Sequence, residues 1–236
     1  MDNKLVFYQA VQEFWLSRDE QMSQQRERGR SDQGFRAAVT GGQQMNGFLN
    51  TLSDLMISAG LKSSDIYIGR RMTELPGFFR PTKGWDLVVV RQEHLLAAIE
   101  LKSHVGPSFG NNFNNRTEEA MGTALDTWTA FREGALRSSL SPFLGYLLML
   151  EDCKESQSEV RVQEPHFRVF PEFQHASYAK RYELFCRKLV LERQYTAACF
   201  LLADRARANA ERNYVVPADD LSDMQFVAQL LRHVAP

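Results

Sequence analysis

The chain has 236 residues, 44% of them hydrophobic, and a formal net charge of −1 at pH 7. The apolar content is ordinary for a globular protein with a full core, and the longest apolar runs are too short to cross a membrane. The near-neutral charge argues against a nonspecific nucleic-acid binder, which is usually basic, but it leaves room for a specific one with a locally basic face.

The N-terminus and the cysteines indicate the compartment. The first residues, MDNKLVFYQ, lack the basic and apolar regions of a signal peptide, so we expect a cytoplasmic protein. Cys153, Cys186 and Cys199 are odd in number and widely spaced, which predicts buried free thiols in a reducing environment. The sequence has no CxxC motif and no histidine-rich ligand set, so we expect no structural zinc.

Two helices are predicted in the N-terminal third, at about 3–28 and 43–59, because apolar residues recur there at helical spacing. The glycine-containing segment 29–42 between them is predicted to be a loop. Residues 66–68 are predicted to form a short strand. The next segment, GRRMTELPGFFRPTKG, is irregular and basic, and two interpretations stay equally open: a solvated loop, or phosphate contacts next to an active site.

The second half alternates helices with buried strands. Continuous apolar runs at 142–151 and 195–203 predict strands buried on both faces. A Gly/Asn/Ser-rich loop is predicted at 103–115, followed from Arg116 by a helix. The apolar face of that helix is expected to hold Ala120, Met121, Ala124, Leu125, Trp128 and Phe131. Two further helices are predicted at 178–194 and about 219–233, the last with Asp219 or Ser222 as its cap.

These elements predict an α/β fold: a single domain over residues 1–236, with a central mixed β-sheet flanked by α-helices. The core of this domain is expected at about 43–203. The N-terminal and C-terminal helices lie outside it.

The stretch 84–102, GWDLVVVRQEHLLAAIELK, predicts a β-hairpin with Asp86 on its first strand and Glu100 and Lys102 on its second. Alternation puts Glu100 and Lys102 on one face. Two carboxylates on neighbouring strands suit Mg²⁺, with the carbonyl of Leu101 as an extra ligand, and a lysine beside them can orient or help deprotonate an attacking water. Spacing alone favours a surface salt bridge instead, but charges on so apolar a strand are costly unless they bind something.

For the two acids to act together, Asp86 must face the same way as Glu100. A four-residue turn at 91–94 would put Asp86 opposite Ile99 and on the other face. A five-residue turn at 91–95, or a bulge, would instead give the pairs Asp86 with Glu100, Val88 with Ala98, and Val90 with Leu96. We therefore predict the odd turn or a bulge, since bulges often lie beside active sites.

A compact polar set follows the hairpin: Asn111, Asn112, Asn114, Asn115 and Arg116. Asparagine pairs with adenine and arginine with guanine in the major groove, whereas turn formation is the alternative role of such asparagines. Four asparagines and an arginine exceed what one turn needs, which favours contact with a ligand. Glu118 and Glu119 fit the dipole of the next helix, and one of them is a candidate helper of the metal site. His104 has no nucleophile paired with it in the sequence, so we do not assign it as a catalytic base.

The run AIELKSHVGPSFGNNFNNRTEEAMGTALDTWTAFREGA, and the earlier TGGQQMNGF, resemble the XhoI-type restriction endonucleases of the PD-(D/E)xK nuclease superfamily. The resemblance is dense over residues 84–137. Trp85 stands where the superfamily name has proline, a position that varies in such enzymes. The resemblance implies a restriction-endonuclease-like fold, with the catalytic core at about 43–203.

The resemblance also implies the reaction: Mg²⁺-dependent cleavage of both strands of duplex DNA at the palindrome CTCGAG, after the first C, leaving 5′-phosphate and 3′-hydroxyl ends. Asp86 and Glu100 would then bind the metal and Lys102 would assist the water. A palindromic site implies a twofold homodimer, with the first and last helices as candidate interfaces. A cognate DNA methyltransferase would act on the same site without binding stably. The alternatives are a repair or junction-resolving nuclease of the same superfamily, and a non-catalytic DNA-binding module.

Overall fold

The structure is a computed structural model, which describes residues 5–27, 42–69, 71–137 and 140–235. Its strands are β1 (Ile66–Ile68), β2 (Glu74–Pro76), β3 (Thr82–Gly84), β4 (Leu87–Arg91), β5 (His94–His104), β6 (Phe143–Glu151) and β7 (Ala197–Ala203). Its helices are α1 (Tyr8–Glu27), α2 (Asn46–Ser58), α3 (Phe109–Arg132), α4 (Lys154–Gln157), α5 (Tyr178–Leu191) and α6 (Asp223–Val234).

Five strands form the central sheet, in the order β1-β4-β5-β6-β7. The pairs β1/β4 and β4/β5 are antiparallel, whereas β5/β6 and β6/β7 are parallel, so the predicted mixed sheet is confirmed. β2 and β3 form a separate two-stranded ribbon. The sequence did not predict this ribbon, because strands of three residues are too short to show a period.

Helices cover both faces of the sheet. α1, α2 and α6 lie on one face, where Phe48 belongs to the same apolar cluster as Ile99. α3 and α5 lie on the other face, where Tyr182 belongs to the same cluster as Ala98. The fold is therefore a single α/β domain in three layers, and neighbouring residues of one strand reach different cores.

Most predicted elements are confirmed, with shifted ends. The two apolar runs form β6 and β7, and the short strand at 66–68 is β1. Ser222 caps α6, because its Oγ accepts a hydrogen bond from the backbone N–H of Gln225 at 3.3 Å, whereas Asp219 begins a preceding 3₁₀ turn. The predicted loop 29–42 lies outside the described residues except at its last position.

The largest error concerns 103–115, which was predicted to be a loop. β5 continues into this segment and α3 begins at Phe109, so only 105–108 remains a loop. Phe109 and Phe113, one helical turn apart, pack with ring centroids 5.8 and 6.2 Å from that of Tyr178 on α5. This packing outweighs the poor helix propensity of glycine and asparagine.

All three cysteines are free. Cys186 and Cys199 are buried as predicted, whereas Cys153 is only partly buried. Within the described ranges, no helix has the length and apolar character needed to cross a membrane.

Candidate active site

β4 and β5 form the predicted hairpin, but with a tighter turn. Gln92 and Glu93 have φ values of 52° and 64°, the left-handed pair of a two-residue type I′ turn. The register shifts just before Val90, which faces Leu95 rather than the predicted Leu96. The bulge is thus confirmed, and the five-residue turn is wrong.

The register before the bulge decides which way the acids face. Val88 faces Ala98, as predicted, and both belong to the apolar cluster beneath α3 and α5. Asp86 and Glu100 each lie two residues from a member of this pair. Alternation therefore places both acids on the α3/α5 face of the sheet, as a shared site requires.

Asp86 lies directly before β4, and the backbone of β5 holds its carboxylate. Oδ2 accepts a hydrogen bond from the N–H of Leu101 at 2.7 Å. Burial, and then the nearby charge of Glu100, raise the pKa of Asp86, although the Leu101 N–H and the neighbouring lysines act in the opposite direction. The charged carboxylate is therefore destabilised in its present surroundings, and a cation placed beside it would relieve that cost.

Glu100 is only 4% exposed and contacts two lysines. The ammonium of Lys102 pairs with Oε1, and that of Lys83 lies 2.9 Å from Oε2. Burial alone would raise the pKa of Glu100, but the two lysines outweigh it and hold the pKa below its ordinary value. The ionised form of Glu100 is therefore favoured, whereas that of Asp86 is disfavoured.

The sequence did not predict Lys83 as a site residue. It lies on β3, and its ammonium also sits 5.7 Å from the ring centroid of Trp85. The available signal was the basic segment that leads straight into the hairpin. Another cation of that segment, Arg80, pairs with Asp126 instead, at 2.7 Å. Arg70 lies outside the described residues.

Glu100, Lys83 and Lys102 line a cavity of about 520 Å³, here called the active-site groove. α3 lines one side with Glu118, Glu119, Gly122 and Leu125, and the segment before β4 contributes Phe79, Arg80 and Lys83. Glu119 is the nearer of the two predicted helper acids to the site, with Oε2 3.8 Å from Nζ of Lys102. In the described ranges, His, Cys, Asp and Glu side chains form no group of three or more suited to a metal, so the candidate site has two acidic ligands.

The predicted DNA-contacting asparagines lie on the first turns of α3, not on a loop. Positions 111, 114, 115 and 118 follow helical spacing and are all exposed, so they form one polar ridge that leads to the groove. Asn112 is half-buried beside this ridge. Arg116 turns towards the protein, with its guanidinium 3.2 Å from Glu119 and 3.4 Å from the carbonyl of Ser103. Contact of these residues with DNA stays a prediction.

His104 is a packed residue of the α3/α5 face. It is 2% exposed, its Nδ1 lies 2.7 Å from the hydroxyl of Tyr182, and its ring lies 4.8 Å from that of Phe109. Burial, and then the charge of Arg116, lower the pKa of His104 to about 4. A neutral, enclosed imidazole bonded to a tyrosine agrees with leaving His104 out of the catalytic set.

A mixed five-stranded sheet with helices on both faces, and with two acids and a lysine at the end of its central hairpin, defines the class of protein as restriction-endonuclease-like. A family model described as restriction endonuclease XhoI matches residues 24–214. The chain belongs to this XhoI family, and the prediction of a type II site-specific DNA endonuclease is confirmed.

Three curated relatives cover most of the chain. It is 54% identical over 209 residues to the type II restriction enzyme BstVI of Geobacillus stearothermophilus, which covers 86% of this chain and 92% of that enzyme. It is 51% identical over 184 residues to the type II restriction enzyme XhoI of Xanthomonas vasicola, covering 78% and 73%. It is 48% identical over 160 residues to the type II restriction enzyme AbrI of Azospirillum brasilense, covering 68% and 72%. No solved structure matches the chain.

Proposed function

We propose that this enzyme cuts both strands of duplex DNA at CTCGAG in the presence of Mg²⁺, after the first C, and leaves 5′-phosphate and 3′-hydroxyl ends. The observation that carries the proposal is the meeting of Asp86, Glu100 and Lys102 on one face of the sheet, where Glu100 and Lys102 line the active-site groove. The recognition sequence and the ends rest on the family resemblance, which includes a relative named XhoI.

The residues present fit a magnesium ion. Mg²⁺ prefers oxygen ligands and keeps several of its waters, so it needs few protein groups. Burial and the charge of Glu100 raise the pKa of Asp86, so a cation bound beside this carboxylate would stabilise its ionised form. The carbonyl of Leu101 points to the side of Asp86, because the N–H and C=O of one strand residue point the same way and its N–H binds Asp86. Glu100 offers Oε2 once Lys83 moves away.

Mg²⁺ would supply neutralisation of phosphate charge and a lowered pKa of water. Asp86 and Glu100 would hold the metal ion. The part of the groove lined by Glu100 and Lys102 would seat the scissile phosphate. Lys102 is 20% exposed, so its ammonium can reach the groove and orient the attacking water while Glu100 anchors it. Glu119 lies close to Lys102 and pairs with Arg116, so it helps to fix the direction in which the Lys102 ammonium points.

Recognition is assigned to the first turns of α3, which carry most of the polar ridge. We propose that Asn111, Asn112, Asn114, Asn115 and Arg116 contact bases or phosphates of the DNA. A palindromic site calls for a homodimer with matching twofold symmetry. A cognate methyltransferase would protect the same site without a stable complex. The three free cysteines support action in a reducing cytoplasm.

The test is a plasmid digest with Mg²⁺, followed by sequencing of the ends. We expect discrete fragments that end at CTCGAG. Lys102→Ala and Glu100→Gln should abolish cutting but leave DNA binding. Glu172→Gln is a matched control, because Glu172 forms an exposed pair with Lys188 away from the groove. A smear, or no cleavage by the wild type, would overturn the proposal.

A further inference from the structure

The turn between β2 and β3 exposes two phenylalanines beside the active-site groove. Phe78 is 52% and Phe79 is 67% exposed, and their rings pack edge to face with centroids 5.1 Å apart. Phe79 lines the groove that also holds Glu100. Leu125 of α3, which is 51% exposed, lines it as well. Large apolar groups left in water next to a site indicate a binding surface.

A buried carboxylate fixes this turn. Asp126 of α3 is 2% exposed, and its Oδ1 accepts hydrogen bonds from the backbone N–H groups of Phe78 at 2.7 Å and Phe79 at 2.8 Å. Its Oδ2 accepts a hydrogen bond from Nε of Arg80 at 2.7 Å. One side chain of α3 therefore holds three consecutive residues of the turn, and with them the direction in which the Phe79 ring points.

The turn is also built too tightly for a side chain at its first position. A Cβ atom on Gly77 would lie 2.5 Å from the carbonyl oxygen of Arg80 and 2.6 Å from Oδ2 of Asp126. The N–H of Gly77 donates to the carbonyl of Pro81 at 3.2 Å. These contacts describe a preorganised turn rather than a solvated loop, and preorganisation lowers the entropy cost of binding.

We propose that this turn is a DNA wedge: the ring of Phe79 packs against, and unstacks, the base next to the scissile phosphate, and Asp126 is the residue that positions it. The inference rests on the proposed function, which seats that phosphate at Glu100 and Lys102. Apolar side chains inserted at a base step are a known way to kink duplex DNA, and aromatic rings stack on bases of any sequence.

The position of the turn beside the proposed catalytic site identifies duplex DNA as the occupant. Phe79 lines the same groove as Glu100 and Lys102, where the proposed function seats the scissile phosphate, so DNA bound there lies against the exposed ring. Most charges that line the groove are paired within the protein. Arg80 pairs with Asp126, and both lysines pair with Glu100. Glu119 pairs with Arg116. Glu118 and Glu119 are exposed acids on the α3 side of the groove.

The first experiment measures binding of a CTCGAG duplex with Ca²⁺ in place of Mg²⁺ to prevent cutting. Phe79→Ala should raise Kd about tenfold, the scale of one base–aromatic stack. The slope of log Kd against log salt should stay that of the wild type, because the ring neutralises no phosphate. Phe167→Ala removes a ring that is 89% exposed on the segment between α4 and α5, outside the groove, and should leave Kd unchanged.

The second experiment probes unstacking directly with permanganate, which oxidises unstacked thymines. The thymine next to the cut should become reactive in the wild-type and Phe167→Ala complexes. It should return to the level of free duplex with Phe79→Ala at saturating protein. A reactive thymine in the Phe79→Ala complex, or an unreactive one in the wild-type complex, would overturn the wedge, as would a Kd for Phe79→Ala within twofold of the wild type.

The role of Asp126 is tested by a double-mutant cycle. Asp126→Asn keeps the shape but weakens the hydrogen bonds that hold the turn, so it should raise Kd and reduce the permanganate signal. It should have little further effect on Kd in the Phe79→Ala background, since it acts through that ring. Additive effects would contradict the positioning role. If the wild type gives no discrete fragments, the proposed function fails. If the wild type cuts at discrete sites but Phe79→Ala equals it in Kd and in permanganate reactivity, the wedge alone fails.

Discussion

Nζ of Lys83 lies 2.9 Å from Oε2 of Glu100, and this contact joins the β2/β3 ribbon to the central sheet. Glu100 also pairs with Lys102, so two ammonium groups neutralise one buried carboxylate. Under the proposed function, a metal ion would bind the same oxygen that Lys83 contacts. Lys83 would then stabilise the site without the ion and compete with the ion.

Lys83→Ala is expected to have opposite effects on stability and on metal affinity. Loss of a hydrogen bond to a buried charge should lower the free energy of unfolding in chelator by about 1–2 kcal/mol. Binding of Mg²⁺, followed by calorimetry without DNA, should become tighter because Oε2 is free. Lys188→Ala removes an exposed pair with Glu172 and should change stability by about 0–1 kcal/mol, with no effect on the metal. Weaker metal binding by Lys83→Ala would contradict the competition.

Two Asp→Asn substitutions are expected to shift stability in opposite directions. Burial and the charge of Glu100 raise the pKa of Asp86, so its ionised form costs free energy in the folded state. Asp86→Asn should therefore abolish cleavage yet raise the free energy of unfolding in chelator by about 0.5–2 kcal/mol, as active-site substitutions often do. Asp126→Asn weakens three hydrogen bonds to the turn between β2 and β3, so it should lower the free energy of unfolding by about 1–3 kcal/mol.

Urea unfolding of both variants and of the wild type, in chelator at pH 7, makes the comparison. Loss of stability in Asp86→Asn would show that the protein itself compensates this carboxylate, and the raised pKa of Asp86 would no longer support a cation site.

His104 should make the enzyme lose stability in mild acid. The unfolded chain takes up a proton on this residue below its ordinary pKa of 6.5, whereas burial keeps the folded form neutral down to about 4. Above pH 6.5 His104 is neutral in both states and has no effect on stability. As the pH drops from 6.5 towards 4, the free energy of unfolding falls. The loss should reach about 2 kcal/mol at pH 5.

Urea unfolding between pH 7.5 and 5 checks this prediction in the wild type, His104→Gln and His175→Gln. His104→Gln should remove most of the extra pH dependence relative to the wild type. His175→Gln replaces an exposed histidine and should leave the dependence as it is. Equal slopes for the wild type and His104→Gln would rule out the proposed cost of protonating His104.

The shared face of Asp86 and Glu100 was predicted on the condition of an odd turn or a bulge between their strands, and the structure has the bulge. The turn itself could not be predicted, since Gln92 and Glu93 lack the Asn-Gly signature of a type I′ turn. Tertiary pairing imposes their left-handed backbone. The start of the helix 109–132 was predicted too late for a similar reason: its first turns are polar in sequence, and the packing of its phenylalanines on α5 cannot be inferred from them.

The partners of the site were harder to predict than its acids. Lys83 and Asp126 act through contacts with segments distant in the chain, which no local spacing reveals. The predicted apolar face of α3 was also partly wrong. Met121 and Leu125 are about half exposed, because the helix buries Asp126 to hold the turn at Gly77.

The tightness of that turn leads to a last prediction, which compares two Gly→Ala substitutions. At Gly77 the new Cβ would meet the carbonyl of Arg80 at 2.5 Å and Asp126 at 2.6 Å, so Gly77→Ala should lower the free energy of unfolding by about 1–3 kcal/mol. At Gly122, inside α3, nothing lies within 4 Å of a new Cβ. Gly122→Ala should therefore raise it by about 0.5–1 kcal/mol through helix propensity. Thermal unfolding of the two variants gives the signs, and a neutral Gly77→Ala would mean that the turn yields easily and that Asp126 does not hold it in one conformation.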